Sequence, residues 1–330
     1  FEPSERSSLE GVAVTRDLVL VGTLDNVHSR LFCLEPTTVG WTREEIPLPG
    51  LGVAGVMATR LEDDAFFYTY EDFLTPPSLY LSVAGKVEKV KTLPLQFAAD
   101  GVRVEQHEAT SKDGTKIPYF LVLPKGFVAD GARPTLLYGY GGFENSVLPG
   151  HNAMTGAAWL ERGGVYALAN IRGGGEFGPR WHQAALKHNR IKSFEDFIAV
   201  AEDLVARRVT SPRHLGIMGG SQGGLLVGGT FTLRPDLFNA VVCQVPLLDM
   251  QRYHTLLAGG PMTKEALDKA VETLLRDAFG MDVDFEIGDA MAKLERLRLV
   301  TVQGETYAAV STSDALARLD EAWDGYFSYK

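Results

Sequence analysis

Four short, nearly unbroken apolar runs constrain this chain most: "PTLLYGY" at 134–140, "GGVYALANI" at 163–171, "HLGIMGG" at 214–220 and "NAVVCQVP" at 239–246. A strand with one face in solvent alternates apolar and polar residues. Unbroken runs belong to parallel strands covered on both faces, and such strands need helical crossovers. One crossover is visible in "SFEDFIAVAEDLVARRV". There Phe194, Phe197, Ile198, Ala201, Leu204 and Val205 recur at helical spacing, acidic residues come early, and Arg207 and Arg208 come late, matching the helix dipole. The pattern predicts α/β architecture over residues 96–260, with parallel strands near 134–140, 164–171, 215–219 and 240–245 in one sheet.

The flanking regions read differently. Residues 1–95 hold "GVAVTRDLVLVGTLDN", "HSRLFCLE", "DDAFFYTYEDF" and "PSLYLSVAGKVEKV", short strand-like segments separated by Gly, Asp and Pro. Their spacing predicts antiparallel sheet, in a sandwich or in propeller blades. Residues 261–330 turn α-rich. "TKEALDKAVETLLRDAFG" and "FEIGDAMAKLERLRL" read as helices, "LVTVQGETYAAV" as a hairpin turning at Gly304, and "STSDALARLDEAWDGYF" as a third helix. Helix, helix, two-stranded wing, helix is a winged-helix-like order, packed by Leu267, Val271, Leu274, Leu294, Leu297, Leu316 and Leu319. Its mixed charges suit a structural or protein-interaction role.

Composition bounds the function. With 45% hydrophobic and 22% charged residues in 330, the chain is an ordinary globular protein, not a disordered one. A net charge of −10 argues against a general nucleic-acid binder, which needs Lys and Arg against phosphate. The two cysteines, Cys33 and Cys243, make no disulfide framework or zinc pattern and fit a reducing compartment. No apolar run approaches the ~18 residues of a membrane span and no leader opens the chain, so a cytoplasmic location is expected. The start at Phe1 suggests a fragment or processed chain.

The chemistry centres on "LGIMGGSQGGLLVGG" at 215–229. Gly219-x-Ser221-x-Gly223 follows a strand and precedes a small-residue run that reads as a helix, the context of a nucleophile elbow. The glycines let strand and helix approach, and the Gln222 amide would face a developing oxyanion. A bland reading is a glycine-rich turn that merely allows close packing. A rival motif, G-x-G-x-x-G at Gly173, Gly175 and Gly178, would suit a dinucleotide. Pro179 follows it at once, however, and the candidate acids Glu195 and Asp196 lie inside the predicted helix.

"LLYGYGGF", "ANIRGGGEFG", "TSPRHLGIMGGSQGGLLVGG" and "RPDLFNAVVCQVPLLDMQRYH" resemble consecutive signatures of the prolyl oligopeptidase family of serine peptidases. "SKDGTKIPYFLVLP" resembles the start of its α/β-hydrolase domain and "YEDFLTPPSLY" the end of its β-propeller, so the resemblance spans residues 1 to about 258. It implies a partial propeller over 1–95, part of an α/β-hydrolase domain over 96–260 and an unrelated tail over 261–330. It makes Ser221 the nucleophile and gives the Tyr140 hydroxyl and Gln222 amide as the oxyanion hole. Phe143 and Leu247 would line an apolar slot for a proline ring. Gln222 stands where the family usually has asparagine. The implied reaction is cleavage of short proline-containing peptides after proline through an acyl-serine, with no cofactor or metal.

The hydrolase order is serine, then acid, then histidine. The histidines are His28, His107, His151, His182, His188, His214 and His254, so only His254 follows Ser221. Asp249 and His254 are too close in sequence to converge on the serine from separate loops. The resemblance stops before the family's acid, base and substrate-stacking tryptophan. A chain with negligible activity is therefore expected. Two other classes stay open: a catalytically dead peptide-binding module and an esterase with a base foreign to the family. Turnover of a proline-linked peptide separates the first from the peptidase reading, and an ester-only profile marks the second.

Overall fold

The structure is a computed structural model that describes residues 2, 4–248, 262–279, 287–296, 298–311, 314 and 318. Two compact units divide the chain, Phe1–Leu248 and Asp249–Lys330. This division falls ahead of the 260/261 boundary expected from sequence and leaves residues 1–95 in one unit with the α/β region.

The first unit opens with two four-stranded antiparallel meanders. One contains β1 (Ser7–Val14), β2 (Val19–Asp25), β3 (His28–Thr37) and β4 (Gly40–Ile46). The other contains β5 (Val53–Thr59), β6 (Phe66–Glu71), β7 (Ser78–Val83) and β8 (Lys86–Thr92). Strand alternation sets their faces: Phe66, Tyr68 and Tyr70 are buried while Phe67 and Thr69 between them are only half-buried. The buried faces of the two meanders share a core of Leu20, Leu31, Ile46, Phe66, Tyr68 and Tyr80. "GVAVTRDLVLVGTLDN" resolves into two strands, because Leu18 N–H donates to Thr15 Oγ1 at 3.1 Å and turns the chain. The strands β4 and β5 escape the sequence pattern: β4 is exposed along most of its length, and β5 is rich in Gly and Ala.

The α/β part follows as β9 (Arg103–Thr110), β10 (Lys116–Leu123), β11 (Thr135–Tyr138), β12 (Val165–Ala169), β13 (Leu215–Gly220) and β14 (Ala240–Gln244). They form one six-stranded sheet in the order β14-β13-β11-β12-β10-β9. The four strands expected from the apolar runs are parallel neighbours, and the antiparallel hairpin β9–β10 extends the sheet past β12. The helices are α1 (Ala153–Thr155), which runs into a π turn at Gly156–Leu160, α2 (Pro179–Gln183), α3 (Ile191–Ala206) and α4 (Gln222–Leu233).

Alternation along the strands builds two cores, one on each sheet face. Leu121, Leu137, Ala167 and Ile217 meet Phe197, Leu204 and Leu226 of α3 and α4. Phe120, Val122 and Leu168 meet Phe73, Phe97, Leu160 and Phe177, so the α/β sheet and the meander region share buried surface. Each such fully buried Leu or Phe contributes roughly 1.5–3 kcal/mol. The edge strand β14 departs from expectation. Its run "AVVCQ" read as covered on both faces, yet Ala240, Val242 and Gln244 are exposed and Val241 and Cys243 only half-buried.

The second unit holds β15 (Met262–Thr263), α5 (Lys264–Phe279), α6 (Ile287–Arg296), β16 (Val300–Gln303) and β17 (Thr306–Ala309), with sheet order β15-β17-β16. The hairpin turns at Gly304, whose φ of 62° suits glycine. Met291 is 1% exposed, and Leu267 and Leu294 are half-buried. The side chains of Val271 and Leu274, and residues Leu297, Leu316 and Leu319, lie outside the described residues. So does the third expected helix, save for Ser311, Asp314 and Arg318.

Candidate active site

At the carboxyl end of β13 the chain turns sharply into α4, and Ser221 is the turn. Its φ of 55° and ψ of −113° place a non-glycine residue in sparsely populated backbone space. The turn is pinned by Ser221 N–H, which donates to Gln244 O at the end of β14 at 2.9 Å. Two glycines make it possible. A methyl on Gly219 would collide with the Gly223 carbonyl, and one on Gly223 would stand 2.6 Å from Gly139 O. Gly220 meets no such limit, since its nearest neighbours would lie at 3.7 Å.

The Ser221 side chain does not cap α4. The amides of the first helical turn have no intrahelical acceptor, so the N-terminus of α4 presents free donors and the positive end of its dipole. Gln222 contributes the first of these amides. Its side chain is buried with Nε2 unpartnered and lies against Gly142, where a methyl would collide with Gln222 Cγ.

Tyr140 follows β11, the strand beside β13. A methyl on Gly223 would stand 3.5 Å from Tyr140 Cα and 3.6 Å from its ring Cδ2, so this tyrosine packs on the first turn of α4. The structure thus brings Ser221, Gln222 and Tyr140 together in the crevice outside the carboxyl ends of two central strands, where the strand order reverses. Open α/β sheets bind ligands at such a point. Phe143 lies three residues further along the same loop, left-handed at φ 53° and 63% exposed. Leu247 is half-buried after β14, between Pro246, which packs against Gly224, and Leu248, which packs against Gly228. A cavity of about 500 Å³ lined by Phe73, Tyr138, Leu148, Tyr166, Met218 and Gln244, among others, includes none of these site residues.

Sequence reasoning missed what holds the Tyr140 loop. The glycine run read against a dinucleotide motif serves close backbone packing instead. Methyls on Gly173 and Gly175 would collide with the carbonyls of Gly141 and Glu144. Behind it, Arg172 is buried in an ionic network. Its Nε and Nη2 donate to Asp196 at 2.8 and 2.6 Å, and its Nη1 to Asp113 at 2.5 Å. Asp196, expected as a dipole partner early in α3, is wholly buried and also accepts from Ser111 Oγ at 2.6 Å. Glu176, 1% exposed, accepts from Val147 N–H at 3.0 Å, and burial pushes its carboxyl up to about 7.

Three of the described histidines hydrogen-bond elsewhere, while His151 stacks on Phe97 with neither ring nitrogen partnered among the described residues. His107 meets Glu105, His182 Nδ1 lies at 2.7 Å from Gly173 O, and His214 meets Ser211 Oγ at 3.0 Å. Among the described residues no hydrogen bond joins the Ser221 hydroxyl to a histidine or a carboxylate. His254 and Asp249 lie outside the described residues.

Comparison with known proteins bears on the family and the fold. The profile of the prolyl oligopeptidase N-terminal β-propeller domain matches residues 2–91, and that of the prolyl oligopeptidase family matches residues 152–273. An uncharacterized peptidase of Sinorhizobium fredii is 48% identical over 267 residues, covering 80% of this chain and 37% of that protein. A prolyl endopeptidase of Elizabethkingia miricola is 42% identical over 217 residues, covering 65% and 31%. A post-proline cleaving enzyme from Rickettsia typhi superposes with a TM-score of 0.70 at 41% identity, covering 77% of this chain and 37% of that one. The chain therefore spans less than two-fifths of the length of these relatives. With its antiparallel N-terminal sheets, its α/β-hydrolase-type sheet and its serine elbow, the chain belongs to the prolyl oligopeptidase family.

Proposed function

We propose that this chain carries the nucleophile and oxyanion half of a serine peptidase that cleaves short peptides after proline. Ser221 Oγ attacks the carbonyl carbon, and the oxyanion is received by the Gln222 amide and the Tyr140 hydroxyl. The proton lost by Oγ passes through solvent water to the leaving nitrogen, so that collapse of the tetrahedral intermediate expels a neutral amine and leaves an acyl-serine, which water hydrolyses to free acid and serine. The observation that carries the reading is the strained Ser221 turn beside an uncapped helix N-terminus, with Tyr140 packed on the same helical turn. Phe143 and Leu247 are the residues proposed to meet the proline ring. Relatives named prolyl endopeptidase support this substrate class.

The same geometry favours a second reading, a peptide-binding module with little turnover. A serine hydroxyl without a base is a weak nucleophile. No described histidine meets Ser221, and losing a triad member costs several orders of magnitude while the oxyanion hole retains some rate enhancement. A cytoplasmic setting is part of the proposal, in keeping with half-buried, unpaired Cys33 and Cys243. Among the described residues no helix is long and apolar enough to cross a membrane.

The test is the rate at which a fluorophosphonate labels Ser221, beside turnover of a proline-containing peptide, each against Ser221→Ala. The peptidase reading expects labelling that vanishes in the variant, with fluoride released as the serine–phosphorus bond forms. Slow labelling with negligible turnover supports the binding-module reading. Labelling that persists in the variant removes Ser221 from both.

A further inference from the structure

Two buried guanidinium groups flank the Tyr140 loop, and they are built differently. Arg172 has its three nitrogens satisfied by Asp113, Asp196 and Ser111, as a buried charge requires. Arg190 does not. Its Nη1 donates to Gly141 O at 2.5 Å, while its Nε and Nη2 are buried without a partner. Among the described residues no carboxylate pairs with it; the Phe194 ring has its centroid 5.9 Å from Cζ. Burial alone shifts its acidity, lowering the pKa with no charge partner to oppose the effect. A cation buried for one hydrogen bond to a neutral carbonyl is poorly repaid as a stabilising contact.

The bond itself is well placed. Gly141 directly follows Tyr140, and its left-handed φ of 60° turns the carbonyl away from the crevice toward α3. Nη1 would also stand 3.0 Å from a methyl on Gly173, so the guanidinium sits over the crossing of the Tyr140 loop and the glycine run. Beyond Phe143, the same loop is tied again where Glu144 N–H faces Gly173 O at 3.3 Å and His182 Nδ1 at 3.1 Å. Residues 141–144 are thus held at both ends by the segment between β12 and α3.

We propose that Arg190 is a positioning residue: by gripping the Gly141 carbonyl it fixes the loop so that the Tyr140 hydroxyl stays aimed at the oxyanion. This rests on the reading of Tyr140 as an oxyanion donor. The grip on the loop and its effect on chemistry are separately measurable. Hydrogen exchange followed by mass spectrometry on the whole chain reads the grip. Arg190→Met should speed exchange of the amides at 141–145 at least about tenfold, with β11 and β13 unchanged, because the perturbation is a local opening. Arg190→Lys, which keeps a donor for Gly141 O, should restore most of the protection.

Fluorophosphonate labelling of Ser221 reads the chemistry. Arg190→Met should slow it about tenfold or more, since small displacements of a positioned group cost up to about 10²-fold. In a Tyr140→Phe background the same substitution should have no further effect. A merely structural role would slow both backgrounds equally. The proposal is overturned if exchange at 141–145 stays within twofold of the parent, or if the two labelling losses multiply. Where Tyr140→Phe leaves labelling untouched, the oxyanion reading fails and the exchange data alone decide whether Arg190 holds the loop. Should Arg190→Met abolish cooperative unfolding, Arg190→Gln takes its place in the same comparisons.

Discussion

Replacing Asp196 by alanine tests whether the ionic network behind the glycine run organises the site's framework. The carboxylate is wholly buried and accepts four hydrogen bonds: from Ser111 Oγ at 2.6 Å and from Arg172 N, Nε and Nη2 at 3.1, 2.8 and 2.6 Å. After substitution, Arg172 keeps only Asp113 as a carboxylate partner, on a side chain that is 35% exposed. Stranding a buried charge in this way costs about 3–5 kcal/mol, more than the net worth of the intact pair, because the desolvation of the guanidinium is left uncompensated. With a urea dependence of about 2–3 kcal/mol/M, the midpoint should fall by roughly 1–2 M. Trp181 is a native reporter, since its indole N–H donates to Ile171 O at 3.0 Å, one residue before Arg172. Its fluorescence through a urea titration gives the shift. A second variant, Arg172→Met with Asp196→Leu, removes both charges and should recover at least half of the loss, because contacting residues are not additive. A single-variant loss below about 1 kcal/mol, or a double-variant loss equal to the sum of both singles, would refute the reasoning.

Two further outcomes follow from the geometry. Gly219→Ala drives a methyl into the Gly223 carbonyl and should cost about 1–3 kcal/mol and abolish Ser221 labelling, whereas Gly220→Ala finds ordinary contacts and should label near the parent rate; equal effects of the two would count against the close strand–helix crossing. Glu176 titrates at about 7 in the folded chain against an ordinary value of 4.5, because burial favours its neutral form. Its folded state therefore holds the proton more tightly than the unfolded state does, so this contribution is intact below pH 4.5 and is lost as pH rises to 7, by about 3 kcal/mol. Glu176→Gln should flatten the parent's decline over that window, measured as urea midpoints at several pH values, and parallel profiles would dismiss the assignment.

The parallel strands were legible because "LLY", "VYALA" and "GIMG" carry no alternation of apolar and polar residues, although in β11 and β13 one face is buried and the other only half-buried. Ser221 was legible because the G-x-S-x-G spacing states a steric requirement that the structure repeats atom by atom. The surrounding framework was not legible, since its chemistry is non-local: Arg172 meets residues 24 and 59 positions away, and Arg190 a carbonyl 49 positions away. Asp196 was misread for the same reason, as a helix-dipole residue where its partner is a buried guanidinium. The glycine run carried a correct signal, that backbone must approach something closely, but the something was the chain itself. The exposure of β14 also escaped notice, because an apolar run reports the need for cover without saying whether cover is present.

That exposure has a kinetic side. The backbone of Ser221 is held through its amide to Gln244 O, the last residue of a strand that, among the described residues, pairs on one side only. Edge strands with exposed hydrogen bonds open at free energies well below that of global unfolding. Each fraying of β14 releases the amide that keeps Ser221 at its unfavourable φ, and the turn can then relax toward ordinary backbone space. The serine is therefore strained only as often as the edge is closed. On the proposed reading of Ser221 as nucleophile, the reactive fraction of chains follows the closed population of β14.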